Sequence, residues 1–344
     1  MKEIGSEYWA IELETSNNNL DFLNIGKDYK LLMSGRTAID YVINDINDSK
    51  KIVYMPNYCC ESMVQPFIDN GYTVEFYNVD VLNNVYDINI DFDCSIFFAM
   101  SYFGFSISNM DKYINILSKK GIVIIEDITH RFLCDINHSN KADYLICSLR
   151  KWFPIISGGI AINMKNVFKN DIGNYIINDN YVETKKTAMN LKRKYIEDSI
   201  EINKNEFLEL YYMSNEMIKD YKNQKIDIIS LNILRHIDIN SIKKYRINNY
   251  KIILKKLKKN KKIKLLYNYQ KGDCPLFVPI IIDNRDNIRK QLIDHSIYLP
   301  IHWPNFNKFN NEIYNHELSL ICDQRYSIND IEKYIDELIK IVGD

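Results

Sequence analysis

Two charged side chains in the middle of the chain, Asp127 and Lys151, have the residue types and positions needed for catalysis. Asp127 follows the β-branched run of residues 122–125, which is typical of a strand buried on both faces. Lys151 follows a second apolar run, residues 144–147. A partly desolvated lysine can act as an amine nucleophile, and an aspartate can pair with a pyridinium nitrogen. The spacing alone also fits two residues without a catalytic role, a carboxylate that ends a strand and a solvated lysine. Other parts of the sequence are needed to distinguish the two interpretations.

Length and charge narrow the classes of function. The 344 residues are 46% hydrophobic, enough to bury a large core, and we expect two domains. Lys and Arg number 44 against 45 Asp and Glu, so no net field attracts nucleic acid or an anionic membrane. No stretch reaches the roughly 20 apolar residues of a membrane span, and the N-terminus does not resemble a signal peptide. We therefore expect a cytoplasmic protein that binds neither nucleic acid nor membrane.

The seven cysteines are odd in number, lie mostly in apolar segments and form no CxxC pair. They are Cys59, Cys60, Cys94, Cys134, Cys147, Cys274 and Cys322. This pattern is typical of reduced core thiols and predicts neither disulfides nor a metal site.

An anion site is predicted near residue 35. Ser34 and Gly35 precede a segment with apolar residues at helical spacing. Gly35 lets the backbone approach a ligand, and the free amides that follow, at Arg36, Thr37 and Ala38, suit a phosphate. The alternative interpretation is that Ser34 simply caps the helix.

Strands and helices alternate as far as Gly121, which predicts an α/β fold with a mostly parallel sheet, helices on both faces and ligands at the strand carboxyl ends. The run GGIAINM, after Lys151, is expected to form one more, antiparallel strand. Neither GxGxxG nor GxxxxGK[ST] occurs, which counts against a dinucleotide-binding domain and a P-loop NTPase.

Composition divides the chain into three parts. Residues 1–30, with Tyr8 and Trp9, are expected to form an arm that lies across another surface, residues 31–225 a large domain, and residues 226–344 a smaller α+β domain. Within residues 165–225 a basic face is expected to be solvated helix surface, although such a face could also meet a nucleotide diphosphate; it comprises Lys185, Lys186, Lys192, Arg193 and Lys194. In the proline-flanked stretch IYLPIHWP, His302 and Trp303 could line a substrate cleft, although a lone histidine is often structural.

Taken in order, the segments SGRTAIDYVI, MPNYCCESMV, SYFG, EDITH, SLRKWFPIISGG and LSLICDQRY resemble the DegT/DnrJ/EryC1/StrS family of sugar aminotransferases. The resemblance covers essentially the whole chain. It implies the fold-type I architecture, in which a large domain with a mostly parallel mixed sheet flanked by helices binds pyridoxal phosphate (PLP) and a smaller α+β domain follows.

The resemblance also implies roles for individual residues. Lys151 would be the Schiff-base lysine and the proton shuttle, and Asp127 would keep the pyridine nitrogen of the cofactor protonated. His130 would lie near the phenolic oxygen of the cofactor. Ser148 and the Gly35, Arg36 and Thr37 helix start would bind the phosphate.

Three departures from the family pattern concern individual contacts. Where many relatives have an aromatic residue on the cofactor ring, this chain has Cys59 and Cys60. Tyr58, Phe103 or another aromatic would then stack on the ring, or the Cys60 thiol would cover it. Ser101 replaces the usual histidine, and Ser148 lies only three residues before Lys151. Asn190, in MNLKRKY, is the candidate contact across a homodimer interface.

The function implied is transfer of an amino group, from glutamate, to a nucleotide-linked keto-sugar in bacterial surface-polysaccharide synthesis. Tyr8, Trp9, His302 and Trp303 would contact this small-molecule substrate. The same Lys-Asp pair also serves PLP-dependent decarboxylases, lyases and dehydratases, and a fold can persist in a non-catalytic protein. Both alternatives remain open at the level of sequence.

Overall fold

The computed structural model describes residues 3–16, 18–106, 109–135, 138–197 and 202–343. Its strands are β1 (Ile4–Gly5), β2 (Asp28–Leu32), β3 (Ile52–Pro56), β4 (Thr73–Asp80), β5 (Val85–Asp87), β6 (Ile96–Met100), β7 (Val123–Asp127), β8 (Tyr144–Cys147), β9 (Gly159–Asn163), β10 (Lys264–Leu265), β11 (Val278–Ile281), β12 (Ile297–Tyr298) and β13 (Glu317–Leu320). Its α-helices are α1 (Gly35–Ile46), α2 (Glu61–Asp69), α3 (Met110–Lys119), α4 (Asp179–Glu197), α5 (Lys204–Met217), α6 (Ile228–His236), α7 (Ile239–Leu257), α8 (Arg285–Asp294), α9 (Ile313–His316) and α10 (Ile328–Val342).

The large sheet has the strand order β2-β9-β8-β7-β6-β3-β4-β5. The five strands from β8 to β4 are mutually parallel, whereas β9, β2 and β5 pair antiparallel with their neighbours. Strand β9 is the GGIAINM run, so its antiparallel direction is confirmed. Met100 pairs with Asp127, and Asp127 with Ile146, so β6, β7 and β8 end at one edge. The mixed α/β fold expected from the sequence is confirmed.

The centre of this sheet is apolar because helices cover both of its faces. Every residue of β6 and β9 is buried, as expected for strands without a solvated face. Helix α1 packs against β8 and β9, and α3 against β6 and β7. The sheet is therefore a rigid support for the side chains that follow its strands.

Helices α4 and α5 pack together around a second, smaller core that includes Tyr181, Met189 and Phe207. The prediction that this basic face is solvated is wrong for two of its five residues. Lys185 and Lys192 are buried, because the N-terminal segment covers them with carboxylates. Glu7 forms an ion pair with Lys185, and Glu3 Oε1 lies 3.4 Å from Lys192 Nζ. Lys194 is exposed, as expected.

The N-terminal segment lies across the C-terminal part of the chain. Strand β1 pairs parallel with β12, with Ile4 opposite Ile297. The Arg325 guanidinium lies 4.3 Å from the Tyr8 ring and 4.9 Å from the Trp9 ring. Its Nη1 donates to three backbone carbonyls, those of Gly5, Ser6 and Glu7. These contacts hold the segment against the rest of the molecule.

The C-terminal part contains a three-stranded antiparallel sheet, β10-β11-β13, with α9 packed against β11, and α10 packs against α7 and α8. Ser327 and Asp330 form a capping box at the start of α10, which satisfies backbone N–H groups of its first turn. The boundaries at residues 30 and 225 stay a prediction. Within the described ranges, every helix is too short or too polar to cross a lipid bilayer.

Candidate active site

Two neighbouring cavities lie at the carboxyl edge of the large sheet. The first cavity, of about 240 Å³, is lined by residues that include Ser34, Gly35, Cys60, Asp127, His130, Ser148 and Trp303. The second cavity, of about 570 Å³, is lined by residues that include Glu7, Tyr8, Asn215, Arg246, Arg289, Tyr298 and His302. Arg150, Lys151 and Ile218 line both. The two cavities therefore meet at Lys151.

Asp127 ends β7 and is only 4% exposed, at the floor of the first cavity. The Thr129 N–H donates to its Oδ1 at 2.7 Å. Burial raises the pKa of the Asp127 carboxyl to about 6, while the bonds from Thr129 and the charge of Lys151 oppose that rise. The protein alone therefore does not offset the cost of burying the charged carboxylate, and a cation bound in the cavity would stabilise it.

Lys151 lies at the end of a short 3₁₀ turn, Leu149–Lys151, that follows β8. Its side chain is exposed and lines both cavities. Among the described residues, its amino group forms no hydrogen bond or ion pair. The amine can thus swing between both cavities without breaking an existing contact.

His130 lines the first cavity beside Asp127 and is held in one tautomer. The Phe103 N–H donates to its Nδ1 at 3.0 Å, so Nε2 carries the ring proton. Burial and the charge of Lys151 lower the pKa of His130 to about 3, which keeps the imidazole neutral. His130 therefore presents an N–H donor rather than a base. Phe103 is buried and lines neither cavity.

The start of α1 forms one wall of the first cavity. Ser34 Oγ caps the helix by accepting from the Thr37 N–H at 3.2 Å, so the capping interpretation of Ser34 is confirmed. Thr37 is buried and does not line the cavity, whereas Gly35 does. A Cβ on Gly35 would lie 3.1 Å from the Ser148 Cβ, so glycine permits the close approach of these two segments. Helix start and Ser148 together form one cradle.

Two arginines, Arg36 and Arg150, flank this cradle. The Nε of each is buried without a hydrogen-bond partner, and neither guanidinium forms an ion pair within the described part of the chain. Burial, together with the charge of Arg150, lowers the pKa of Arg36. Sequence reasoning missed Arg150, although its place beside Lys151 in SLRK was a visible signal. Two guanidiniums without a carboxylate partner, beside the N-terminus of α1, favour a dianion.

A thiol and an indole also line the first cavity. Cys60 is half-buried there, with Sγ 3.0 Å from Ser62 Oγ, and burial raises its pKa. The Trp303 ring lies 5.3 Å from the His130 ring at an interplanar angle of 32°. Tyr58 is buried, donates to the His302 carbonyl and lines neither cavity.

The remaining candidates divide between the second cavity and other surroundings. Tyr8 and His302 line the second cavity, and the Tyr8 hydroxyl accepts from Arg246 Nη2 at 3.0 Å. Trp9 is buried beside Tyr326 and lines neither cavity. Asn190 is exposed on α4, also outside both cavities. Its predicted contact would thus require a second copy of the chain.

No family model and no curated protein matches this sequence. Solved structures do match it over nearly its whole length. PseC of Helicobacter pylori, an aminotransferase of pseudaminic acid biosynthesis, is 13% identical with a TM-score of 0.64, over 99% of both chains. Spr1654 of Streptococcus pneumoniae, in its PLP form, is 12% identical with a TM-score of 0.63, over 99% of this chain and 98% of that one.

A third similar structure is a DegT/DnrJ/EryC1/StrS aminotransferase from Brucella abortus, which is 15% identical with a TM-score of 0.59. The match covers 93% of this chain and 87% of that one. At these identities the likeness concerns the fold. The chain therefore has the fold-type I architecture of the DegT/DnrJ/EryC1/StrS sugar aminotransferases.

Proposed function

We propose that this chain is a PLP-dependent aminotransferase that transfers an amino group, from glutamate, to a nucleotide-linked keto-sugar. The observation that carries the proposal is the content of the first cavity. It brings together the Lys151 amine, the buried Asp127 carboxylate and a cradle for an anion. PLP carries an aldehyde, a basic ring nitrogen and a phosphate, and so offers one partner to each of these groups.

The residues present fit PLP on grounds independent of the fold. The buried, unpartnered Nε atoms of Arg36 and Arg150 would meet a phosphate dianion beside the α1 N-terminus. Asp127, whose pKa is raised by burial, would regain its charge against a protonated ring nitrogen. When bound, PLP supplies an electron sink for bond cleavage next to the substrate amine.

The protein side chains would then act as follows. Lys151 would hold the cofactor through its amine and would move a proton at its Nζ. Its position between the two cavities supports this role, because it reaches both. His130 would donate its Nε2–H to the phenolic oxygen, since Phe103 occupies Nδ1. Trp303 and Cys60 would cover the exposed ring face.

The second cavity supports a large anionic substrate. Its volume of about 570 Å³ exceeds what glutamate alone needs, and Arg150, Arg246 and Arg289 contribute to its lining. Guanidinium groups suit phosphate and carboxylate oxygens. A keto-sugar on a nucleoside diphosphate carries the former, and glutamate the latter. Tyr8 would contact the substrate from the N-terminal segment. We place the reaction in the cytoplasm, in bacterial surface-polysaccharide synthesis.

We also propose that the protein acts as a homodimer. Asn190 is exposed on α4, from where it could complete the first cavity of a partner subunit. Trp9 would act indirectly on the substrate site, because its ring supports Arg325 beneath the N-terminal segment. A decarboxylase, lyase or dehydratase would use the same Lys151 and Asp127, and a non-catalytic protein would need neither.

Spectroscopy of the purified protein tests the proposal. With PLP we expect yellow protein, and borohydride should fix the cofactor to Lys151. Glutamate should then convert the cofactor to its amine form, and a nucleotide-linked keto-sugar should reverse the conversion. Carbon dioxide release without a keto product would favour the decarboxylase. A protein that binds no PLP would contradict the cofactor assignment, and the non-catalytic alternative would stand.

A further inference from the structure

Three buried side chains form a continuous hydrogen-bonded chain that ends at the second cavity. Ser319 Oγ lies 2.5 Å from Glu317 Oε1, and His302 Nδ1 lies 2.8 Å from Ser319 Oγ. The His302 backbone N–H also donates to Glu317 Oε2, at 2.7 Å. Glu317 and Ser319 are two residues apart on β13, so both side chains point to the same face of that strand. None of the three residues is more than 5% exposed.

The His302 end of this hydrogen-bonded series faces a cavity that can hold a ligand. His302 lines the second cavity together with Lys151. Its Nδ1 is occupied by Ser319, and Nε2 forms no hydrogen bond with any other residue that the structure describes. Nε2 is thus the polar atom through which the buried chain can reach a substrate.

Burial disfavours the charged forms of both His302 and Glu317, the two ends of the hydrogen-bonded series. It lowers the pKa of His302 well below its usual value, and the charge of Lys151 acts in the same direction. It raises the pKa of Glu317 to about 8, against the His302 N–H, the Ser319 hydroxyl and Arg285. A proton arriving at Nε2 is therefore accommodated most easily if Nδ1 releases one toward Glu317.

The other ionisable groups facing Glu317 do not supply that proton. Arg285 Nη1 donates to the Glu317 backbone carbonyl at 2.6 Å, and guanidinium groups do not release protons in proteins. Burial raises the pKa of Tyr58 and of Tyr267 well above 10, so both phenols remain neutral. Exchange with His302 is left as the route by which Glu317 gains or loses a proton.

We propose that Glu317, Ser319 and His302 form a proton relay that removes a proton from the ammonium group of a substrate in the second cavity. The inference rests on the proposed function, in which an amino donor must lose a proton before its nitrogen can act as a nucleophile. His302 would be a catalytic residue, because Nε2 touches the substrate. Glu317 and Ser319 would be positioning residues.

The step begins with Glu317 ionised and His302 in the Nδ1–H form, and from that state it balances in atoms and charge. The substrate N–H bond breaks, its proton bonds to His302 Nε2, and the electron pair stays on the substrate nitrogen. The Nδ1–H bond breaks as that proton moves to Ser319 Oγ, and the Ser319 hydroxyl proton moves to Glu317 Oε1. One proton has then passed from substrate to Glu317, and the imidazole is again neutral, in its other tautomer. No oxidant or reductant is needed.

The relay predicts that the His302 tautomer follows the ionisation of Glu317. An ionised Glu317 accepts from Ser319, which then accepts from Nδ1–H. A protonated Glu317 donates to Ser319, which then donates to Nδ1 and leaves the proton on Nε2. His130 differs, because the Phe103 N–H holds it as the Nε2–H form on both sides of the Glu317 titration.

Nitrogen NMR of the full chain, labelled with ¹⁵N-histidine, tests this directly. We expect His302 to change from the Nε2–H to the Nδ1–H form as pH rises through about 8, without becoming charged. The His302→Asn variant assigns the signal, and His130 is the internal control that stays unchanged. A His302 tautomer that does not respond to pH would overturn the relay.

Variants connect the tautomer to the reaction. Ser319→Ala removes the link, and Glu317→Gln places a permanent amide donor beside Ser319. In both variants we expect the pH-dependent change of the His302 tautomer to disappear. We also expect single-turnover amino transfer from glutamate to slow by about 10²-fold, with unchanged PLP affinity. If Glu317→Gln does not fold, Ser319→Ala alone decides. The control is Ser214→Ala, another buried serine, whose hydroxyl donates to the Tyr211 carbonyl.

The outcomes separate this inference from the proposed function. A normal tautomer switch in a protein without aminotransferase activity would contradict the function and leave the relay chemistry standing. Wild-type amino transfer in Ser319→Ala would contradict the relay and leave the function standing. A slowed reaction only in Ser319→Ala and Glu317→Gln supports both.

Discussion

The two cavities that meet at Lys151 are built in different ways. The first lies where the parallel strands β6, β7 and β8 end, and its side chains come from short contiguous segments that follow strands or begin a helix. The second adjoins the first at Lys151, and its lining comes from the N-terminal segment, α5, α7, α8 and the stretches before and after β13. One is a product of sheet topology, and the other of how distant segments pack together.

The two ways of building a cavity suit two different roles, catalysis in the first cavity and recognition of the substrate in the second. Groups at the ends of adjacent parallel strands are brought together by the backbone hydrogen bonds of the sheet, so their geometry tolerates many changes elsewhere. The second cavity depends on side chains such as Arg325, which joins the N-terminal segment to the C-terminal part. We therefore expect changes in the first cavity to affect the reaction, and changes in the second, apart from those at His302 and its relay partners, to affect substrate choice.

The sharpest test of the first cavity is Asp127→Asn. An amide cannot balance a protonated ring nitrogen, so kcat should fall by about 10³-fold or more while PLP still binds. Glu126→Gln is the matched control: Glu126 is the adjacent residue of β7, accepts from the Ser139 N–H and does not line the cavity. Steady-state kinetics with glutamate measure the effect. Equal losses in both variants would contradict the assignment of Asp127.

Asp127 also predicts a pH dependence of stability in the protein without cofactor. Its folded pKa, about 6, lies above the unfolded value near 4, so the buried acid favours folding below pH 4. That contribution, about 3 kcal/mol, should be lost as pH rises from about 4 to about 6. Urea unfolding of wild type and Asp127→Asn across this range should show the difference. Parallel curves for the two proteins would contradict the burial argument.

Arg150 tests whether the unpaired guanidiniums bind phosphate. Arg150→Ala should weaken PLP binding by about 10- to 100-fold, because a charge-assisted hydrogen bond is lost beside the cradle. Arg193→Ala, at a half-buried arginine of α4 that lines neither cavity, is the control. Fluorescence titration with PLP gives the dissociation constants. Since Arg150 lines both cavities, an effect confined to substrate KM would assign it to the second one instead.

The smallest expected effect concerns Asn190. Because it is exposed in the single chain, Asn190→Ala should weaken PLP binding only a few-fold, and only in a dimer. Sedimentation and PLP titration over a range of protein concentrations measure the two properties together. A dimer with unchanged PLP affinity would remove Asn190 from the site.

Much of the fold and part of the first cavity could be predicted from local patterns. The buried runs before Asp127 and Lys151, and the Ser34 cap before α1, are short-range signals with direct physical causes. Positions within the cavity were harder to predict. Thr37 and Phe103 were expected at the cofactor and line neither cavity, because one is packed beneath the helix cap and the other presents only its backbone N–H.

Charge was the least reliable guide without tertiary contacts. Lys185 and Lys192 have the residue type of solvated surface and are buried, because Glu7 and Glu3 from the far N-terminus pair with them. Arg36 and Arg150 have the same charge and no such partner. Only the folded chain distinguishes a lysine that holds a segment in place from an arginine available to a ligand.

By itself the sequence determined the order of strands and helices and the positions of Lys151 and Asp127 at strand ends, since hydrophobic periodicity and turn residues act over a few positions. Tertiary structure alone decided that Lys151 stands between two cavities and that Glu317, Ser319 and His302 are joined in a chain. The reason is physical: a hydrogen bond or a burial shift in pKa depends on neighbours that folding brings together, and sequence spacing does not specify them.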